Sequence, residues 1–319
     1  MTFFPGIRLH VVTGKGGTGK TTVAAALAIA LSRGGKRVLV AEVEGRQGLA
    51  PLFGKAPLPH AETQVLKTAD GGTVSVLPVD PEKALIEYLD LFYHLGRAGR
   101  VLQRMGATDF VTTIAPGLRD VLLIGKVKEA AVRRAGSGRY YDAVVLDAPP
   151  TGRIVKFLGA TDEVAQIAKV GPIRAQSESV MALLRGDETA IHLVTLLEEM
   201  PVQETVDGVD QIVGAGLPVG AIVVNRVREE RLAGPDLTNA AAGRLDLDAV
   251  GAALADAGLT EPGLAKVLAE EANEHARRVA LQQAMRADLE ALGRPLVELP
   301  LLPEHVDLDT LTRLAERLA

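Results

Sequence analysis

Short apolar runs bounded by turn residues alternate along the chain with longer segments of helical periodicity, the pattern of a parallel sheet covered by helices. The runs predict strands at Leu9–Thr13, Val38–Glu42, Val74–Pro78, Ala143–Asp147, His192–Leu197, Ala221–Asn225 and Pro295–Leu299. Runs such as "AVVLD" and "AIVVN" are apolar on both faces, as central parallel strands must be. Helical patterning predicts excursions at about 81–138, 159–188 and 232–291, the last containing the long amphipathic "LAKVLAEEANEHARRVALQQAMRADLEAL". No repeat or Pro/Gly/Ser linker divides the chain, so residues 1–319 read as one α/β domain with a mostly parallel twisted sheet and an inserted helical subdomain. The C-terminal "LDTLTRLAERLA" reads as a docking helix, because its arginines are balanced by acids and it lacks an aromatic, basic membrane face.

Composition narrows the chemistry. A chain of 319 residues that is 47% hydrophobic can bury a large core. Its net charge of -5 offers no general attraction to nucleic acid. With no cysteine, disulfides, thiol nucleophiles and Cys-ligated zinc are excluded. The six histidines never fall at helical metal-ligand spacing and read as structural or surface residues. No basic leader with an apolar core and no long apolar span is visible, which predicts a soluble cytoplasmic protein without stable membrane insertion.

The chemistry concentrates in "GKGGTGKTT", residues 14–22. Gly14-x-x-x-x-Gly19-Lys20-Thr21 fits a P-loop, with the strand "RLHVVT" before it and the helix "KTTVAAALAIAL" after it. Gly14, Gly16, Gly17, Thr18, Gly19, Lys20, Thr21 and Thr22 form the candidate phosphate cradle. Glycines let backbone N–H groups turn toward phosphates, Lys20 reaches the β/γ oxygens, and the Thr21 hydroxyl is a Mg²⁺ ligand. Such a loop needs an acid at the end of a neighbouring strand, and Asp147 closes "AVVLD", followed by the rigid turn Pro149-Pro150-Thr151-Gly152 suited to sensing a γ-phosphate. Glu42 and Glu44 lie on one side of the extended end of the second strand, placed to orient Mg²⁺ or the attacking water, against the alternative that they are exposed loop acids.

The stretch "KGGTGKTT" is similar to the deviant Walker A sequence of the signature-lysine ATPases. Within them the chain resembles the ArsA family, which includes the arsenite-pump ATPase and the eukaryotic ATPase that targets tail-anchored membrane proteins, and resembles most its ArsA-like members in actinobacteria. "IAPGLRDVLLIGKV", "DAPPTGRIVKFL", "LLEEMPVQET", "IVVNRV" and "ELPLLPEH" carry that resemblance along nearly the whole chain. It implies a Mg²⁺-dependent ATPase working as a dimer, in which Lys15 of each subunit reaches its partner's phosphates. It further implies that Asn225 hydrogen-bonds adenine, that Glu198 lies at the nucleotide and dimer interface, and that Pro300 walls the base.

Departures from the family pattern shape the rest. Glu44 stands where relatives have a water-positioning aspartate, "GRQG" replaces "PAH", and Arg153 replaces a histidine. Without cysteines the chain has neither a metalloid sensor nor an interface zinc, and five methionines do not supply a methionine-rich client groove. The leading expectation is an ATPase whose dimer closure controls binding of a protein client or partner, a hydrophobic client included, as a homodimer or a heterodimer with a paralogous ATPase. The alternatives are a weakly hydrolysing regulatory subunit of such a heterodimer, and the soluble ATPase of an anion (arsenite-like) efflux system.

Overall fold

The computed structural model describes residues 4–84, 87, 116–167, 172–232, 234–302 and 306–319. Its centre is an eight-stranded sheet of order β10-β9-β8-β1-β7-β2-β4-β3. The strands are β1 (Leu9–Gly14), β2 (Arg37–Glu42), β3 (Thr63–Lys67), β4 (Thr73–Pro78), β7 (Ala143–Asp147), β8 (Thr189–Thr195), β9 (Val219–Val227) and β10 (Leu296–Pro300); β5 (Arg134–Ala135) and β6 (Gly138–Arg139) form a separate small hairpin. Every pairing in the large sheet is parallel except β3 with β4. All seven strands expected from the apolar runs are present, with ends shifted by up to three residues. The edge strand β3, "TQVLK", escaped that reading because only Val65 of its five residues is buried, so it carries no apolar run.

Helices cover both faces. On one side α1 (Lys20–Ser32) lies against the sheet, buried nearly all round, and its alanines 24, 25, 26, 28 and 30 let the backbone come close. The C-terminal helix α10 (Leu308–Arg317) docks beside α1, burying Leu311, Leu314 and Ala315, and Asp307 caps it by accepting from the Thr310 N–H at 2.9 Å. Each leucine so buried contributes on the order of 2 kcal/mol. The opposite face carries α3 (Pro116–Val132), α4 (Thr151–Ile167), α5 (Pro172–Arg185) and α6 (Glu199–Gly214). A one-turn helix, α2 (Leu49–Leu52), follows β2.

The helical excursions look different in three dimensions. Of 81–138, residues 85–86 and 88–115 lie outside the described residues, and the described remainder is chiefly α3 and the β5–β6 hairpin. In 159–188, residues 168–171 lie outside the described residues, and α4 and α5, which make up most of the rest, pack on the sheet through Phe157, Leu158, Val180 and Leu184. The segment 232–291 forms α7 (Gly234–Ala241), α8 (Leu247–Asp256) and α9 (Leu264–Glu290), a lobe with few buried side chains and none in α8. Among the described residues no helix is long and apolar enough to cross a membrane.

Two of the histidines are core residues. His10 on β1 and His192 on β8 stack with ring centroids 5.3 Å apart, and Nδ1 of His10 lies 3.1 Å from Nε2 of His192. The Ala221 N–H donates to Nδ1 of His192 at 3.1 Å, so Nε2 of His192 carries the proton and donates to His10. Burial lowers His10 to about 4 and His192 well below its ordinary value. The unfolded chain therefore binds protons that the folded one refuses, and this contribution to stability is lost as pH falls from about 6.5 toward 4. His10→Asn keeps an acceptor for His192 without titrating; in urea unfolding, wild type should lose roughly 2 kcal/mol relative to this variant between about pH 7.5 and pH 5.

Candidate active site

The acidic, basic and amide groups singled out from the sequence lie at or just beyond the C-terminal ends of parallel strands: β1 ends at Gly14, β2 at Glu42, β7 at Asp147 and β10 at Pro300, with Asn225 near the end of β9 and Glu198 just past β8. In an open parallel sheet this edge is where ligands bind. The loop from β1 to α1 must pass between close neighbours. A Cβ on Gly14 would sit 2.1 Å from the Val194 carbonyl oxygen, and Gly19 begins α1 in a left-handed conformation with φ of 93°. Thr18 closes the turn, its N–H and hydroxyl both donating to the Lys15 carbonyl at 3.4 and 2.9 Å. Gly16 and Gly17 are exposed, Thr22 is half-buried, and Lys20 is 9% exposed at the start of the helix. A glycine-rich loop, a helix N-terminus and a lysine thus meet at this sheet edge, a combination suited to an anion.

Behind Lys20 lie the carboxylates. The Thr21 hydroxyl donates to Oδ2 of Asp147 at 2.7 Å, a contact between residues 126 apart in sequence. Burial pushes Asp147 up to about 7, with Glu42 and Glu44 adding repulsion while the Thr21 hydrogen bond and Lys20 pull it back. Glu42 is 3% exposed and also shifted up by burial; its Oε1 accepts the Gly48 N–H at 2.7 Å, while Oε2 is buried with no partner among the described residues. One oxygen of Glu42 thus holds the 43–48 loop in place while the other is left unbonded. Glu44 is half-buried in that loop. Gln47, in a left-handed conformation at φ 50°, locks the same loop by exchanging two hydrogen bonds with Leu58, at 3.2 and 2.8 Å. Nothing in the sequence pattern marked Gln47 or Leu58; the departure "GRQG" was the available signal.

The donor set suits a hard dication. Thr21, Asp147 and the orphaned Glu42 oxygen are all oxygen donors, and among the described residues no cluster of three His, Asp or Glu side chains forms a protein-only cage. Mg²⁺ takes one or two carboxylates and fills its remaining positions with water and phosphate.

Beyond the loop, Thr13 donates to the Pro149 carbonyl at 2.7 Å and ties the β7 turn to β1. Thr151 opens α4, buried, its hydroxyl without a partner among the described residues. Helix α6 comes close here because it presents Gly208, where a Cβ would meet Thr151 Cγ2 at 2.8 Å. One turn earlier on the same face is Glu204, whose Oε1 lies 2.6 Å from Lys15 Nζ. Lys15 is thus held by its own chain's α6. Glu204 had no signal in the sequence beyond lying on a helix face.

A cavity of about 230 Å³ adjoins the loop, lined by Leu196, Leu197, Glu198, Asn225, Arg226, Arg228, Gln282 and Leu301. Asn225 is buried and its Nδ2 donates to the Thr18 carbonyl at 2.9 Å. Pro300 ends β10, and the residue after it, Leu301, is the one that lines the cavity.

Comparison with known proteins agrees with this geometry. The sequence model of the family described as "Anion-transporting ATPase" matches residues 7–186, from the start of β1 to the end of α5. The ATPase BagA of Mycobacterium tuberculosis is 51% identical over 98% of this chain and 93% of its own length. ATPase GET3 of Kluyveromyces lactis is 26% identical over 68% of this chain and 71% of its own, and a putative arsenical pump-driving ATPase of Aquifex aeolicus is 25% identical over 70% and 81%. The chain belongs to the anion-transporting ATPase family, and it is an ATPase.

Proposed function

We propose that the protein hydrolyses Mg·ATP to ADP and phosphate in a dimer that closes across its nucleotides, and that closure controls binding of a protein client or partner. The observation that carries this reading is the placement of Lys15. A P-loop already has its phosphate lysine in Lys20, and Lys15 instead points to Glu204, 2.6 Å away on α6. Both groups are about one-third exposed, so the pair contributes little stability and can exchange Glu204 for a stronger anion. A partner's phosphate is such an anion, and Lys15 then acts as an arginine finger does, neutralising charge only in the assembled state.

Within one chain, Lys20 and the loop amides hold the β and γ phosphates. Thr21, Asp147 and the unbonded oxygen of Glu42 would hold Mg²⁺, which would supply positive charge to offset that of the phosphates. Glu44 orients the attacking water from the loop pinned by Glu42 and Gln47. Its side chain is one methylene longer than the family's aspartate, which motivates the second reading: a weakly hydrolysing subunit that pairs with a paralogous ATPase. A role in arsenite-like efflux, suggested by the printed names of the arsenical pump-driving relatives, lacks the cysteine chemistry of metalloid sensing in this chain.

The lobe α7–α9 exposes Leu247, Leu259, Val267, Leu268 and Leu281, which supports a hydrophobic client or partner surface. Glu198 stands exposed between the base cavity and α6, where a second subunit would meet the nucleotide.

Three outcomes test the reading. Lys20→Ala should abolish nucleotide binding, whereas Lys15→Ala should retain binding and lower kcat by about 100-fold or more, with turnover per chain in wild type rising with protein concentration; a Lys15→Ala enzyme with wild-type kcat overturns the dimer role. Asp147→Asn should lower kcat by about 100-fold or more and, by removing a buried charge, raise the urea midpoint of the nucleotide-free protein at about pH 8. Glu44→Asp should raise kcat if this chain is held back by the longer side chain; if kcat rises only when a paralogue is added, the heterodimer reading replaces the homodimer.

A further inference from the structure

Glu44 is carried by a stretch that has little of its own to hold it. Among the described residues Glu44, Gly45 and Arg46 make no hydrogen bond or ion pair, and Gly45, at φ of 71°, brings the freest backbone of any residue type. Burial chiefly raises the Asp147 and Glu42 carboxyl groups, and Glu44 stands near enough to add repulsion at both. The place of Glu44 must therefore be set at the ends of the stretch. At one end Val43 is fixed by burial in the core, 3% exposed. At the other, Gly48 sits against the site: its N–H donates to Glu42, and a Cβ on it would lie 3.4 Å from Thr21 Cγ2.

Gln47 ties this second end to the core. Its Nε2 donates to the Leu58 carbonyl at 3.2 Å and its Oε1 accepts the Leu58 N–H at 2.8 Å, so the carboxamide pairs with that residue as a neighbouring strand would. Leu58 is suited to receive it. It stands between Pro57 and Pro59; each proline fixes its own φ, and the second biases Leu58 toward extended backbone. Neither proline has an N–H, so Leu58 carries the single backbone donor from 57 to 59, and Gln47 takes it. The Leu58 side chain is buried in the core that also takes Leu49 and Phe53. Two residues on, His60 Nδ1 lies 3.1 Å from the Pro78 carbonyl and ties the segment to the end of β4. Gln47 itself adopts φ of 50°, uncommon for a residue with a Cβ, and its two bonds to Leu58 offset the cost.

The geometry points to Gln47 as a positioning residue for hydrolysis: by pairing with Leu58 it fixes the path of residues 44–46, and so the point at which the Glu44 carboxylate meets the attacking water. Glu44 is a long side chain, so play in its backbone is amplified at its carboxylate, and the anchor at Gln47 governs how often the acid is in place. This rests on Glu44 being the group that orients water in the ATPase reaction.

ATPase rates and calorimetric titration with Mg·ADP, both on the full chain, test the proposal. Gln47→Ala should lower kcat by about tenfold or more while leaving Mg·ADP affinity within about twofold. Gln47→Glu keeps the size and the acceptor but sets an oxygen against the Leu58 carbonyl, and should lower kcat by a similar factor. Because Gln47 acts through Glu44, Gln47→Ala placed on Glu44→Gln should cost less than about twofold beyond Glu44→Gln alone. Wild-type or faster turnover in both Gln47 variants, with Glu44→Gln slowed, overturns the role of Gln47 and leaves that of Glu44 standing. A further loss of about tenfold in the double variant, or a loss of Mg·ADP affinity that matches the loss of kcat, makes Gln47 a structural support of the site and overturns the proposal. Wild-type kcat in Glu44→Gln overturns the role of Glu44 itself, and the role of Gln47 with it.

Discussion

The structure depends on how the chain leaves β1. It must turn from a strand buried on both faces into a helix buried nearly all round, within the few residues from Gly14 to Gly19, while strands press on it from either side. The Val194 carbonyl oxygen occupies the space a Cβ at Gly14 would need, and the Asn225 amide occupies that at Gly19. Only glycine fits at both ends of the loop, and the loop lies at a helix N-terminus on the sheet edge, a setting that favours an anion. The neighbours are held in turn: Thr13 ties down the β7 turn through Pro149, and Asn225 ties β9 to Thr18.

That arrangement carries an unfavourable charge distribution when no nucleotide is present. Asp147 and Glu42 are buried and Glu44 stands near both, while Lys20 pulls Asp147 back. Burial raises both carboxyl groups, the behaviour expected of a site whose electrostatics are completed by a ligand. A P-loop chain is stabilised by its nucleotide and cation through binding linkage, so a site that is strained when empty is compatible with a stable enzyme. The Lys15–Glu204 contact adds a part-exposed pair of opposite charges at the same edge.

Much of this was legible in the residue order because it rests on local rules. Glycine spacing, a strand before it and an alanine-rich helix after it specify a P-loop, and an aspartate closing "AVVLD" specifies its acidic companion, which the Thr21–Asp147 hydrogen bond joins to it across 126 residues. The docking of the C-terminal helix was legible from its charge balance. Less visible were β3, an edge strand with one buried residue, and the fact that α4 and α5 lie on the sheet, since helical periodicity reports one apolar face and not what that face meets.

By itself the sequence determined the chain's class, its phosphate loop and the end of the sheet where chemistry occurs, because backbone freedom at glycine, burial of apolar runs and the hardness of oxygen ligands act within a few residues of the motif. Only the tertiary structure decided which long-range partners the polar side chains take. Asn225 met Thr18 across 207 residues, and Lys15 met Glu204 through a helix that Gly208 lets approach. Such pairings depend on distances between elements far apart in sequence, and a hydrogen bond or ion pair acts over a few ångströms that no spacing along the chain encodes.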